Sequence, residues 1–339
     1  MPLIASTFPQ RELGKTGEKV SALGFGTMGM SAFYSGLNDD EASLKVLTAA
    51  ADMGCTFWDT AAIYGTNEAL LGRWFKETGR RKEIFLCSKG GIDLQKFCAD
   101  SSPEKIRELC ERSLQQLGVD QIDLYYLHRI DDKVPIETSM ETLKELVNEG
   151  KIKYIGLSEA SADTLRRAHK VHPVTAHQIE YSPFTLDIER DDVNVLKTCR
   201  ELGITTVAYS PLGRGMLTGK YKSVDDFDEN DFRRNNARFQ GDNFAKNLKV
   251  VDDIKAIAEK KQATSGQVTL AWLMAQGEDI IPIPGTKQLK NLQENVQAAF
   301  MQLDSNEVAE IRKVVDAAEV HGERYGAGGL QSFGDTPKL

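Results

Sequence analysis

No window of this 339-residue chain approaches about 18 uninterrupted apolar residues, so no membrane-spanning helix is expected. Basic runs are missing too. Lysines and arginines are interleaved with acids, and the net charge of −8 at pH 7 argues against a nucleic-acid backbone as partner. Cys55, Cys87, Cys98, Cys110 and Cys199 form an odd set with no C-x-x-C pair. That pattern suggests neither a disulfide framework nor a thiolate zinc centre, and it reads as reduced, mostly buried thiols. Met1 to Gln10 lack a basic segment followed by an apolar stretch, and Pro337-Lys338-Leu339 is only a near miss to the peroxisomal S-K-L address. A soluble cytoplasmic protein is the expectation. What the chain does have is 41% hydrophobic and 27% charged residues, enough for a large core and too apolar for disorder.

The apolar residues are ordered along the chain. Arg11-Glu12-Leu13 and Lys19-Val20-Ser21 flank the glycine-bounded turn Gly14-Lys15-Thr16-Gly17, which suggests a β-hairpin. Strand-like runs then recur at Leu23 to Gly26, Thr56 to Trp58, Ile84 to Cys87, Leu124 to Leu127, Tyr154 to Leu157, Ala176 to Glu180, Thr205 to Tyr209 and Ile280 to Ile283. Between them lie segments of helical period, such as Ile106, Leu109, Cys110, Leu114 and Leu117, or Met140, Leu143, Leu146 and Val147. Eight alternating strand and helix units predict an α/β fold, a closed (β/α)8 TIM barrel with an N-terminal hairpin. Two additions stand out: a polar stretch from Gly213 to Asn247 after the seventh strand, and a terminal helix from about Ser305 to Ala318. One barrel domain over 1–339 is expected, with an arm at 1–10 and a tail at 319–339 carrying Gly326, Gly328 and Gly329.

Three of the early strands end in titratable residues: Asp59, Lys89 and His128, with Tyr64 five residues beyond Asp59. A barrel gathers such ends around one mouth. A phenol with a pKa near ~10 donates a proton poorly at neutral pH, and a nearby ammonium such as Lys89 lowers that value. Asp59 can keep Lys89 charged, and His128 can orient a carbonyl oxygen or relay a proton. This set suits protonation of an oxygen gaining negative charge. It has no activated serine or thiol, since Cys87 should lie one layer deeper than Lys89. His169 and His172 have no third partner for a metal site, so no metal is expected. No side chain delivers hydride; a cofactor is required.

Gly24-Phe25-Gly26-Thr27-Met28-Gly29 fits G-x-G-x-x-G, but Ser31 to Gly36 reads as loop where that motif demands a helix. These glycines are read instead as allowing close approach at the barrel mouth. Gly219-Lys220 fails as a P-loop, because Arg214 stands at the required glycine and Tyr221 follows the lysine. A better anion site follows the eighth strand, where Ile283-Pro284-Gly285-Thr286-Lys287 leads into the helix of Leu289, Leu292 and Val296. Tyr209-Ser210-Pro211-Leu212-Gly213-Arg214-Gly215 supplies an aromatic face and glycines after the seventh strand. Phe33, Tyr34 and Trp58, with Phe227, Phe232 and Phe239, are candidates to line an apolar substrate pocket, or to anchor their loops.

At this point the chain resembles the aldo-keto reductase superfamily, and within it the fungal and plant subgroup of pyridoxal-reductase-like and perakine-reductase-like enzymes. The resemblance rests on Leu23 to Thr27, Trp58 to Gly65, Ser88-Lys89, Asp123 to His128, Gly156 to Ser158, Gln178, Ala208 to Leu212, Ile283 to Lys287 and Glu294-Asn295, all in family order. It implies a barrel that holds extended NADPH across its C-terminal face and reduces an aldehyde or ketone. Tyr64 would be the general acid, assisted by Lys89 and Asp59, with His128 orienting the carbonyl. Gly26, Thr27 and Met28 would lie beside the cofactor, and Ser158 and Gln178 would hold its amide. Tyr209 would stack on the ring, and the loop from Ser210 through Pro211, Leu212, Gly213 and Arg214 to Gly215 would cover the pyrophosphate. Ile283 and Gly285 would contact the cofactor, Thr286 and Lys287 would face its 2′-phosphate, and Gln293 and Asn295 would lie near the adenine end. Glu159 stands where many members carry Asn, and Asn291 where another branch has an arginine. Alternatives are an NADP-binding regulatory subunit, as in the related potassium-channel β-subunits, and an NAD-dependent alcohol or sugar dehydrogenase. The partners expected are a small carbonyl substrate, no nucleic acid and no membrane, with a monomer as the default.

Overall fold

Two amide hydrogens close the barrel. In the computed structural model, which describes residues 8–34, 39–325 and 332–339, Gly24 N donates to Pro282 O at 2.9 Å and Gly26 N to Pro284 O at 3.2 Å. They join the first parallel strand to the last. The barrel strands are β3 (Phe25–Gly26), β4 (Phe57–Asp59), β5 (Phe85–Gly90), β8 (Ile122–Leu127), β9 (Ile152–Ser158), β10 (Ala176–Glu180), β11 (Thr205–Tyr209) and β12 (Ile280–Pro282), neighbours in chain order. A hairpin of β1 (Gln10–Glu12) and β2 (Lys19–Ser21) precedes them, and an unforeseen one, β6 (Ile92–Asp93) with β7 (Cys98–Ala99), follows β5. Gly24, Gly26 and Gly29 are the glycines expected to allow close approach at the barrel mouth. Of these Gly26 serves the seam: a Cβ on it would sit 2.9 Å from Ile283 O, and one on Gly285 would sit 2.7 Å from Gly26 O. Gly326, Gly328 and Gly329 lie outside the described residues.

Helices cover the outside, as right-handed βα crossovers require. They are α1 (Asp40–Asp52), α2 (Asn67–Thr78), α3 (Pro103–Leu117), α4 (Ile136–Asn148), α5 (Ala162–Val171), α6 (Val195–Leu202), α7 (Gly241–Lys260), α8 (Ser265–Met274), α9 (Leu289–Ala298) and α10 (Ser305–Asp316). The stretch expected to be loop as far as Asn247 is a series of short 3-10 turns that gives way to α7 at Gly241. Side chains alternate along each strand. Phe57, Cys87, Leu124, Tyr126, Ala176, Val207 and Ile281 therefore fill the barrel, and Leu13 and Val20 of the first hairpin plug its lower end. The opposite face of each strand packs under the helices. Trp58 belongs there: fully buried, it lies 4.7 Å from Trp74 of α2 between ring centroids and donates its indole N–H to Cys55 O at 2.8 Å. The pocket expectation for Trp58 is thus overturned, because its neighbours Phe57 and Asp59 take the inward positions.

Among the described residues no helix is long and apolar enough to cross a membrane, and no cluster of three His, Cys, Asp or Glu could hold a metal ion. Four cysteines are buried and Cys98 is exposed; all five are free thiols.

Candidate active site at the barrel mouth

The two-residue period of the strands carries Asp59, Lys89 and His128 to the inner face at the C-terminal end. Asp59 follows Phe57, Lys89 follows Cys87, and His128 continues the inward series of Leu124 and Tyr126 just past β8. Tyr64 arrives from the turn before α2, which Ala62 N fixes to Lys89 O at 3.0 Å. Lys89 is wholly buried and forms an ion pair with Asp59. Its ammonium also donates to Thr60 O at 2.8 Å and to the Tyr64 phenol at 3.4 Å. Gln178 Nε2 donates to the other Asp59 oxygen at 2.7 Å. The Tyr64 and His128 rings stand nearly perpendicular, with centroids 5.7 Å apart.

Burial dominates the electrostatics of this cluster. It would strip the proton from Lys89, but Asp59 and Tyr64 reverse that and hold the amine above its ordinary value. Burial pushes the Asp59 carboxyl up, against Lys89 and Gln178. His128 is driven well below the usual imidazole range by burial, Arg129 and Lys89, which favours the neutral ring. For Tyr64 the outcome differs from the sequence expectation: Lys89 does lower the phenol, yet burial outweighs it and the net direction is upward.

The rim residues fall into distinct settings. Ser158 is buried and its Oγ has no hydrogen-bond partner among the described residues. Tyr209 donates to Glu159 Oε1 at 2.8 Å. Ser210, Gly213, Arg214 and Gly215 all have positive φ, which folds the loop tightly over Met216 and Leu217, while Pro211 and Leu212 lead into it. Arg214 turns inward to Glu180 at 3.4 Å. Ile283 points into the barrel interior, and Thr286 Oγ1 accepts from Gln288 N at 3.0 Å. Lys287 lies just before α9, whose N-cap residue Gln288 makes no side-chain cap, so first-turn N–H groups remain for an anion. Phe33 and Tyr34 sit at the mouth: the Phe33 ring is edge-on to Tyr64 at 6.3 Å, and Tyr34 packs on Phe232 at 5.1 Å. Phe227 and Phe239 are buried loop anchors that contact each other at 5.6 Å.

Two residues expected at the cofactor have structural settings of their own. Thr27 offers no free polar group, since its N–H and hydroxyl both reach Asp59 O, at 3.0 and 2.8 Å, and its carbonyl accepts from Asn67 at 3.0 Å. It positions Asp59, while Met28 beside it opens a 3-10 turn. Gln293 is exposed, and at 100° per residue it lies on the side of α9 away from buried Asn295; Asn291 is the residue that shares the Asn295 face.

With this geometry in view, the Aldo/keto reductase family model matches residues 22–316. The chain is 53% identical to aldo-keto reductase str7 of Strobilurus tenacellus, covering 98% of each. It is 52% identical to aldo-keto reductase yakc [NADP(+)] of Schizosaccharomyces pombe, covering 98% of this chain and 99% of that one. Among solved structures, a glycerol dehydrogenase from Gluconobacter oxydans superposes with a TM-score of 0.82 at 27% identity, over 94% of this chain and 99% of that one. The chain belongs to the aldo/keto reductase family. It is an oxidoreductase with the barrel of that family.

Sequence reasoning passed over several residues of this reductase's mouth. Asn67, fully buried, accepts from the hydroxyls of Thr27 at 2.5 Å and Thr60 at 2.7 Å, and so ties three loops together. Its place three residues after Tyr64 was the available signal. Arg324 and Tyr325 come from the tail, outside the matched region: Arg324 reaches Glu159 at 2.5 Å, and the Tyr325 hydroxyl lies 2.5 Å from that of Tyr209. Nothing local in the sequence announces them.

Proposed function

We propose that this aldo/keto reductase is an NADPH-dependent carbonyl reductase in which Tyr64 protonates the substrate oxygen. The observation that carries the reading is the hydrogen-bonded chain from Asp59 through Lys89 to the Tyr64 phenol, with neutral His128 alongside. Orphaned Ser158 Oγ, the amide Gln178 and the uncapped start of α9 beside Lys287 fit an extended dinucleotide with a carboxamide at one end and phosphates at the other. When bound, that cofactor supplies hydride to the carbonyl carbon.

The chain's own residues manage the proton. His128 donates a hydrogen bond to the carbonyl oxygen and sets its direction toward Tyr64. A phenol whose pKa is raised stays protonated until the oxygen gains negative charge, and Lys89, 3.4 Å away, then stabilises the phenolate left behind. Asp59 keeps that ammonium charged. Phe33 and Tyr34 border the reacting carbonyl with apolar surface. The name of the Schizosaccharomyces pombe relative, aldo-keto reductase yakc [NADP(+)], supports NADP(H), as does Lys287 at the expected phosphate end.

Tyr64→Phe tests the reading while keeping the ring contacts. Turnover of NADPH with a panel of aldehydes should fall by about 10³-fold, the middle of the range for loss of a general acid, with cofactor affinity unchanged. A variant retaining activity within about tenfold of wild type would overturn the assignment of Tyr64.

A further inference from the structure

Beside His128 lies a cation that the proton-transfer chemistry does not use. Arg129 is only 8% exposed, and its hydrogen bonds among the described residues go to neutral oxygens: Nη1 donates to His128 O at 2.7 Å and Nη2 to the Tyr325 hydroxyl at 3.3 Å. Its Nε is buried with no partner among them. The edge formed by Nε and Nη2 is the one with which other arginines of this chain grip carboxylates. Arg167 holds Glu137 at 2.8 Å from both atoms, and Arg233 holds Asp231 at 2.9 and 2.6 Å. In Arg129 the same edge carries one long bond to a phenol and an N–H with no acceptor.

The acids nearby are taken. Asp131, two residues on, accepts from Ser101 N at 3.0 Å and from Lys133 N at 2.9 Å, and Glu159, whose charge does reach Arg129, pairs with Arg324 at 2.5 Å. Glu180 is shared by Arg324 at 3.2 Å, Arg214 at 3.4 Å and Arg238 at 3.6 Å. Arg129, Arg214, Arg238 and Arg324 thus share two carboxylates, and a buried charge without a partner is costly. The placement of Arg129 says where its partner comes from. Its charge acts on His128 and on the Tyr64 phenol, and it feels Tyr64, Tyr209 and Tyr325 in return. The Tyr325 hydroxyl that meets Nη2 is itself 2.5 Å from the Tyr209 hydroxyl at the end of β11. Arg129 therefore belongs to the wall around the reacting carbonyl, whereas the cofactor phosphates are expected at the loop from Ser210 to Gly215 and at Thr286 and Lys287.

We propose that Arg129 is a specificity-determining residue that receives a carboxylate of the substrate on its Nε and Nη2 edge, so that the preferred substrates are oxo acids, aldehydes or ketones that carry a carboxylate on the same molecule. The 3.3 Å bond to the Tyr325 hydroxyl is exchanged for the stronger charge-assisted pair when such a substrate enters. This rests on the carbonyl-reductase chemistry of the proposed function.

NADPH oxidation with paired substrates tests it: succinic semialdehyde against butanal, and 4-carboxybenzaldehyde against 4-nitrobenzaldehyde. In at least one pair wild type should favour the carboxylate by about tenfold or more in kcat/KM, as a hydrogen-bonded charge pair implies. Arg129→Met should cut that preference by about tenfold or more, and Arg129→Lys, which keeps the charge without the fork, should fall between the two. Comparing one ratio across the variants cancels the intrinsic reactivity of the aldehydes. A structural role alone would slow both members of a pair alike, so an unchanged ratio in R129M would overturn the proposal. Turnover in wild type with no preference in either pair would overturn it and leave the reductase reading intact; no turnover of any aldehyde would overturn both. Weakened NADP+ binding by R129M, read by fluorescence quenching, with the substrate ratio preserved would assign the missing anion to the cofactor and overturn the proposal too. Should R129M fail to fold, the wild-type ratio and that of R129K decide.

Discussion

Replacing Lys89 by Met should damage stability and turnover separately, and a second substitution should repair only the first. Lys89 and Asp59 are an ion pair with side chains exposed by 0% and 4%. Met fills most of the lysine stem volume but leaves Asp59 with Gln178 as its remaining hydrogen-bond donor at 2.7 Å. Breaking a buried pair from one side costs about 3–5 kcal/mol. The cost depends on pH. Without the ammonium, burial holds the folded Asp59 pKa above its unfolded value near ~3.9, so the folded state keeps a proton that the unfolded state releases. The variant's deficit is then smallest at low pH and grows as pH rises through the folded pKa. Asn at position 59 has no charge to strand, so D59N/K89M should regain at least half of the lost stability while remaining without turnover. Urea unfolding at pH 5 and pH 8, with NADPH oxidation assayed in parallel, reads all of this. A K89M stability within about 1 kcal/mol of wild type at pH 8 would refute the reasoning, as would a double variant no more stable than the single one.

Other expectations follow from the packing. Trp58→Phe should lose about 1–3 kcal/mol in thermal or urea unfolding with KM for aldehydes unchanged, because Trp58 packs beneath α2; a raised KM at undiminished stability would return it to the pocket. Gly285→Ala forces a Cβ to 2.7 Å from Gly26 O at the barrel seam and should cost about 1–3 kcal/mol, measured as a lowered Tm; an unchanged Tm would mean the seam has slack. Buried His177 is pushed down to about 4 by desolvation, whereas the unfolded chain binds that proton near 6.5. Stability from this residue is therefore full above pH 6.5 and falls as pH drops toward 4, by about 3 kcal/mol in total. His177→Gln should remove that part of the acid sensitivity; a variant with the wild-type slope of unfolding free energy between these pH values would contradict it.

Local pattern was enough for much of the fold. The alternation that buries Phe57, Cys87 and Leu124 inside the barrel is a property of consecutive residues, so it also told which strand-end side chains face the mouth. Followed one step further it would have turned Trp58 outward, since Asp59 cannot face inward beside an inward Trp58. In the same way the helical period of α9 already separates Gln293 from Asn295. Thr27 was harder to read, because its hydroxyl could serve a ligand or the strand end equally well until Asn67, 40 residues away, is seen to claim it.

The sequence by itself determined the order of strands and helices, the plug hairpin, and the inward acid, amine, phenol and imidazole, because periodicity and strand-end position are local. Tertiary structure alone decided the rest. It closed the seam at Gly26 and Gly285, let burial outweigh Lys89 in setting the Tyr64 phenol, and brought Arg324 to Glu159 across 165 residues. Desolvation is set by everything packed around a group, and a contact between distant segments leaves no period in either of them; both exist only once the chain has folded.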